Sequence, residues 1–162
     1  MKTKISHLGR STVSVILAVM MLLSTMLVGT MPIASAASTL QPTTGEVADG
    51  YYRIFVTDNY NFNSAPLIHY WGGSSATEWG KRPTMNKVIG TNAQGESVYW
   101  YDVPSGSEGV IFQHPEKNQS VDLNVKTDQN LKFGNGAGYY ISSENENKTR
   151  YIYAYWDASS LL

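Results

Sequence analysis

Cysteine is absent from the 162 residues, which excludes a disulfide framework, a thiolate metal site and a cysteine nucleophile. Histidine is nearly as scarce, with His69 and His114 the only two after the first 36 residues. Neither lies in an HExxH or comparable metal-ligand pattern, and the chain has no GxSxG elbow. The run Gly134-Asn135-Gly136-Ala137-Gly138 looks superficially like a phosphate-cradling loop. It lacks the Lys-Ser/Thr pair that gives such a loop its chemistry, so it reads as a turn. Glu144 and Glu146 lie in a Lys- and Asn-rich loop, where carboxylates are solvated and not facing each other across a cleft as a glycosidase pair must. No EF-hand spacing occurs either. The residues therefore predict neither catalysis nor a metal or cofactor.

A basic excess is also missing. Three of the twelve Lys and Arg residues, and none of the thirteen Asp and Glu, lie in the first 36 positions. The remainder has nine basic residues against thirteen acidic ones, a net charge of −4. Such a surface does not suit nucleic acid or an anionic membrane as partner.

What the first 36 residues do contain is Lys2, Lys4 and Arg10, an apolar run over 13–28, and the small residues Ala34-Ser35-Ala36. This order predicts an export signal cleaved after Ala36 and a secreted, bacterial extracellular product. The competing reading is an uncleaved anchor, because the apolar run approaches the ~20 residues that span a bilayer. Residues 37–49, small and polar, read as an N-terminal linker. The domain then occupies residues 50–162.

Past residue 36 there is no apolar period of 3.6. Instead, short β-branched and aromatic runs alternate with turn residues: 50–57, 66–71, 83–90, 97–103, 109–114, 120–125, 138–143 and 150–156. Eight such strands at regular spacing predict an all-β domain, an antiparallel β-sandwich.

Aromatic residues are the surplus. All eleven Tyr, four Trp and four Phe lie after residue 36. Strand parity in 66–71 puts Ile68 and Tyr70 on one face and Leu67, His69 and Trp71 on the other. A Gly72-Gly73 turn and a small polar loop then lead to Trp79. In 97–103, Tyr99 and Tyr101 share the face expected to be core, and Asp102 marks the face of Trp100 as the solvent side. Sugar rings have apolar C–H faces and hydroxyl edges, so their sites combine flat aromatic platforms with Asn, Gln, His or Lys. Trp71 and Trp79 with His69 beside them fit that description.

Four segments carry a family resemblance: RIFVTDNYNFN, IHYWGGSSATEWGKRPTMNKV, VYWYDVP and VIFQHPEKNQSVDL. In this order, over about residues 51–125, they resemble the starch-binding modules of carbohydrate-binding module family 26, with a related likeness to family 25. Where that family often has Trp-Pro-Gly, this chain has Trp79-Gly80-Lys81-Arg82-Pro83. The resemblance implies a compact β-sandwich of immunoglobulin-like or jelly-roll-like kind that binds starch or maltooligosaccharide without catalysis. It also implies association with an amylase or a cell-surface complex. By position it implies His69, Trp71 and Trp79 as the platform, with Gln113 and Gln119 at the rim. Tyr70 takes the place of Trp71 if the strand register is shifted by one residue. The residues alone leave two further readings open: a protein-interaction module or inhibitor using the aromatic C-terminal hairpin of 138–143 and 150–156, and a small glycoside-active enzyme.

Overall fold

The computed structural model describes residues 36–162, so the export signal predicted for 1–36 lies outside the described residues save for Ala36. Among the described residues no helix is long and apolar enough to cross a membrane. The described residues form nine strands: β1 (Tyr51–Thr57), β2 (Leu67–Trp71), β3 (Asn86–Lys87), β4 (Val98–Pro104), β5 (Gly109–Gln113), β6 (Gln119–Ser120), β7 (Leu123–Asn124), β8 (Ala137–Glu144) and β9 (Arg150–Asp157). They belong to one sheet in the order β2-β5-β6-β9-β8-β1-β4-β3, with β7 also paired to β5.

Two features differ from the expected antiparallel sandwich. The sheet is mixed, because β1 runs parallel to β8 and β6 runs parallel to β9. Short hairpin turns force antiparallel neighbours, as in β8–β9. Strands that meet after a long connection can arrive from either direction. The strands also make one curled sheet instead of two separate ones. Its two ends are brought together by residues 83–88: Ile68 N–H donates to Pro83 O at 3.0 Å, Met85 N–H to Pro66 O at 2.9 Å and Val88 N–H to Val98 O at 2.8 Å.

The inner face of the curl is the main core. Ile54 and Val56 of β1, Ile68 of β2, Val110 and Phe112 of β5, Tyr139 and Ile141 of β8, and Tyr151 and Tyr153 of β9 all point into it. Tyr99 is buried there and Tyr101 packs against it, as strand parity predicts. The aromatic surplus is thus partly core material. Tyr151 and Tyr153, from the segment considered as a protein-binding surface, spend their rings here, while Ile152 and Tyr155 remain exposed.

The outer face of β1 and β4 carries a second, smaller core of Phe55, Val88, Val98, Ala158 and Leu161, flanked by Leu40, Trp100 and Trp156. This explains why β1 reads as an almost unbroken apolar run: both of its faces are covered. It also corrects the reading of Asp102 as a mark of the solvent side. Asp102 accepts two hydrogen bonds from Arg53, from Nε and Nη2, each at 2.7 Å. Arg53 itself is only 3% exposed, and its guanidinium lies 4.0 Å above the Trp100 ring.

Residues 37–49, read as a linker from their composition, are fastened to the domain. Thr39 and Gln41 N–H donate to Thr91 and Ile89 O, and Thr43 N–H donates to Leu161 O. Arg53 Nη1 adds bonds to Thr43 Oγ1 and Gly45 O, both at 2.9 Å. The missing side chain at Gly90, outside the segment, is what lets the two backbones lie this close. A Cβ on Gly90 would stand 2.2 Å from Thr39 O.

Candidate functional site

β2 projects His69 and Trp71 outward from the curl, with Ile68 and Tyr70 on the core side. The parity is the one expected, and it leaves Tyr70 packed against Tyr101 at 6.3 Å between ring centroids, away from the platform. Across the strand pair, Trp71 stands opposite Gly109 of β5. A Cβ there would approach Trp71 Cζ2 to 2.4 Å and Leu123 O to 2.6 Å. The missing side chain at 109 is therefore what lets the indole lie down on the sheet.

The loop after β2 returns Trp79 to the same place. Gly72 and Gly73 have φ of +79° and +69°, a left-handed turn that only glycine adopts without strain. Thr77 then locks onto β2: its N–H donates to Tyr70 O at 3.0 Å, and its Oγ1 accepts from Tyr70 N–H at 3.1 Å. A one-turn helix, Trp79–Lys81, follows, taking the place of the Trp-Pro-Gly of the resembled family. Trp79 is 49% exposed.

His69 sits between the two indoles. Its ring lies 5.7 Å from that of Trp71 with 24° between planes, and 4.7 Å from that of Trp79 at 82°. The two tryptophans are consequently steeply inclined to each other, forming an angled surface and not one flat one. Thr77 Oγ1 lies 2.7 Å from His69 Nδ1 but 3.4 Å from Tyr70 O. The shorter contact is the stronger one, so Nδ1 is the ring nitrogen that Thr77 engages. Burial, and then the Arg82 guanidinium, lower the His69 pKa from its ordinary 6.5, so the imidazole is neutral at pH 7.

Arg82 is the residue that sequence reasoning missed. Its guanidinium stacks on Trp79 at 4.7 Å from the ring centroid, and Nη1 donates a short hydrogen bond to Gln113 Oε1. One face of the Trp79 indole is thereby covered, while the residue as a whole stays half exposed. The only sequence signal was the spacing of three residues across a tight turn, which is visible once that turn is known. Gln113 is brought to the site but is largely engaged, since its Nε2 also donates to Lys117 O at 3.0 Å. Gln119 is half-buried opposite it on β6.

Compared with protein-family models, with curated proteins and with solved structures, the chain matches none of them. The reading of the site therefore rests on its own residues and on the motifs that resemble the starch-binding modules.

His114, the other histidine, belongs to the core. It is fully buried against Phe62, with ring centroids 4.7 Å apart. Its Nδ1 bonds to Ser64 O at 2.9 Å, while Nε2 is buried without a partner. A carbonyl can only accept, so the proton is on Nδ1. Burial lowers the His114 pKa.

Proposed function

We propose that the chain is a secreted, non-catalytic module that binds starch or a related α-1,4-glucan through Trp71, His69 and Trp79. What supports the reading is the inclined pair of aromatic planes. Successive glucose units of an α-1,4-linked chain turn relative to one another, so two platforms set at a steep angle can each meet a sugar face, which a single flat surface cannot do. The neutral imidazole between them offers Nε2 to a hydroxyl edge, and Gln119 stands opposite Gln113 at the rim. Within this proposal the curled sheet corresponds to the sandwich of the resembled modules, and an amylase or a surface complex supplies the chemistry that the module lacks.

Each aromatic face contributes modestly, because a shallow platform buries little of the ligand and some polar groups must be desolvated. Trp79→Ala is expected to weaken retention on granular starch about tenfold, equivalent to about 1.4 kcal/mol, with only a small fall in thermal midpoint, since the residue is half exposed and its contacts are to the side chains of Arg82 and His69 at the surface. Trp71→Ala is expected to weaken retention similarly while also lowering the midpoint, because it empties the seat above Gly109. Depletion binding paired with thermal melts measures both; full retention by both variants would rule out this site.

A further inference from the structure

A second opening lies on the outer face of the sheet, on β1, β4, β8 and β9, where Thr57, Val98, Tyr140 and Trp156 form its floor. Its volume is about 760 Å³, within the ~300–1,000 Å³ of small-molecule sites. The floor follows from the pairing: Thr57 stands opposite both Val98 and Tyr140. Trp156 lies flat because its cross-strand neighbour is Gly138, where a Cβ would come within 2.5 Å of the indole. The walls are Leu40 from the fastened N-terminal segment, the turn 92–96, and Ser160-Leu161.

The lining contains no Lys, Arg or His, and Glu96 is its one charged residue. The Glu96 carboxylate accepts from Asn92 Nδ2 at 2.6 Å. A phosphate, nucleotide or carboxylate ligand would find no counter-charge here. What the cleft offers instead is the exposed ring of Tyr140, the indole of Trp156 and the aliphatic Leu40, rimmed by the uncharged groups of Gln94, Ser38 and Ser160. Aromatic floor and neutral hydrogen-bonding rim match a compound with an apolar face and a hydroxylated edge.

We propose that this cleft is a second saccharide site for a neutral oligosaccharide, with Tyr140 as its platform and Gln94 as a hydroxyl partner. It shares no lining residue with the β2 platform: β5 and β6 lie between the two on one side of the curl, and β3 with residues 83–85 on the other, and neither site needs the other. With both sites occupied by one polymer or one granule, the second contact forms at high effective concentration, so retention on solid glucan exceeds what either site gives for a free trisaccharide.

The four tryptophans report the two sites separately. Trp71 and Trp79 belong to the platform, Trp156 to the cleft, and Trp100 lies beneath Arg53 as an internal control. The experiment is a titration of the isotopically labelled chain with maltotriose and with cellotriose, following the four indole N–H signals by NMR. The Trp156 signal is expected to move and saturate with at least one of the two while Trp100 stays still. Tyr140→Ala and, at an exposed turn position that does not support the fold, Gln94→Ala are each expected to weaken the Trp156 response about tenfold and leave those of Trp71 and Trp79 unchanged. A Trp156 signal that ignores both trisaccharides, or that titrates identically in both variants, overturns the proposal. Movement of Trp156 with Trp71 and Trp79 stationary would sustain the cleft while removing the platform reading.

Discussion

His114 shows how much one enclosed ring atom can matter. Its Nε2 faces the core without a partner, so the folded protein resists adding a proton there, whereas the unfolded chain takes one up near its ordinary pKa of 6.5. A histidine whose folded pKa is lowered makes stability fall as pH falls, beginning at the unfolded value. Between pH 6.5 and 5 the unfolding free energy should decline by up to ~1.4 kcal/mol per pH unit from this residue. His69, also lowered, acts with the same sign. Urea titrations at stepped pH measure the slope, and His114→Gln should flatten it; a wild-type profile that is level across this range would contradict the assignment. That His69 and Trp71 share the face opposite Ile68 and Tyr70 was legible from alternation along 66–71, because parity within a strand is a local property. Thr77 and Arg82 were not legible, since their roles depend on where a seven-residue loop turns back.

Among the elements, the N-terminal segment and β4 are joined through Arg53. Its guanidinium bonds Asp102, Thr43 and Gly45 while lying on Trp100, so one buried cation ties three parts of the chain together. Asp102→Asn leaves that cation without its counter-charge. The expected loss is about 3 kcal/mol, a large share of the ~5–15 kcal/mol that holds a domain together. Because Asp102 is 29% exposed, water offsets part of the effect, and the figure sits at the low end for buried pairs. The urea midpoint tests it, and a midpoint unchanged from wild type would show that the pair is not structural. Composition could not reveal this joint, because ASTLQPTTGEVAD carries no apolar periodicity and is held by its backbone groups. Segment 120–125 shows the same limit. It reads as one strand, yet it divides into β6 and β7: Gln119 and Ser120 pair with β9, whereas Leu123 and Asn124 pair with Val110 and Gly109 of β5.

For the whole molecule, strand positions were legible but neighbours were not. β-branched and aromatic runs locate β1, β2, β4, β5, β8 and β9 within a residue or two. Nothing in YYRIFVT says that its second edge will be taken, in parallel, by residues some 80 positions later. Such pairing is set by which edges remain open once the hairpins have formed. The same bookkeeping has an outcome at the two ends of the strand order. On β2, Ile68 and Tyr70 N–H donate to Pro83 O and to Thr77 Oγ1, and Tyr70 O accepts from Thr77. Beyond β3, Ile89 and Thr91 O accept from Gln41 and Thr39. Bare strand edges are where sheets of different molecules join, and here the chain's own loops occupy them. Under the proposed function, molecules crowded on the surface of a solid glucan therefore have no bare strand edge to lend one another at these two ends. They should load it as independent adsorbers, with a simple saturating isotherm and no upturn at high coverage; a sigmoidal or multilayer isotherm would show that neighbours recruit each other.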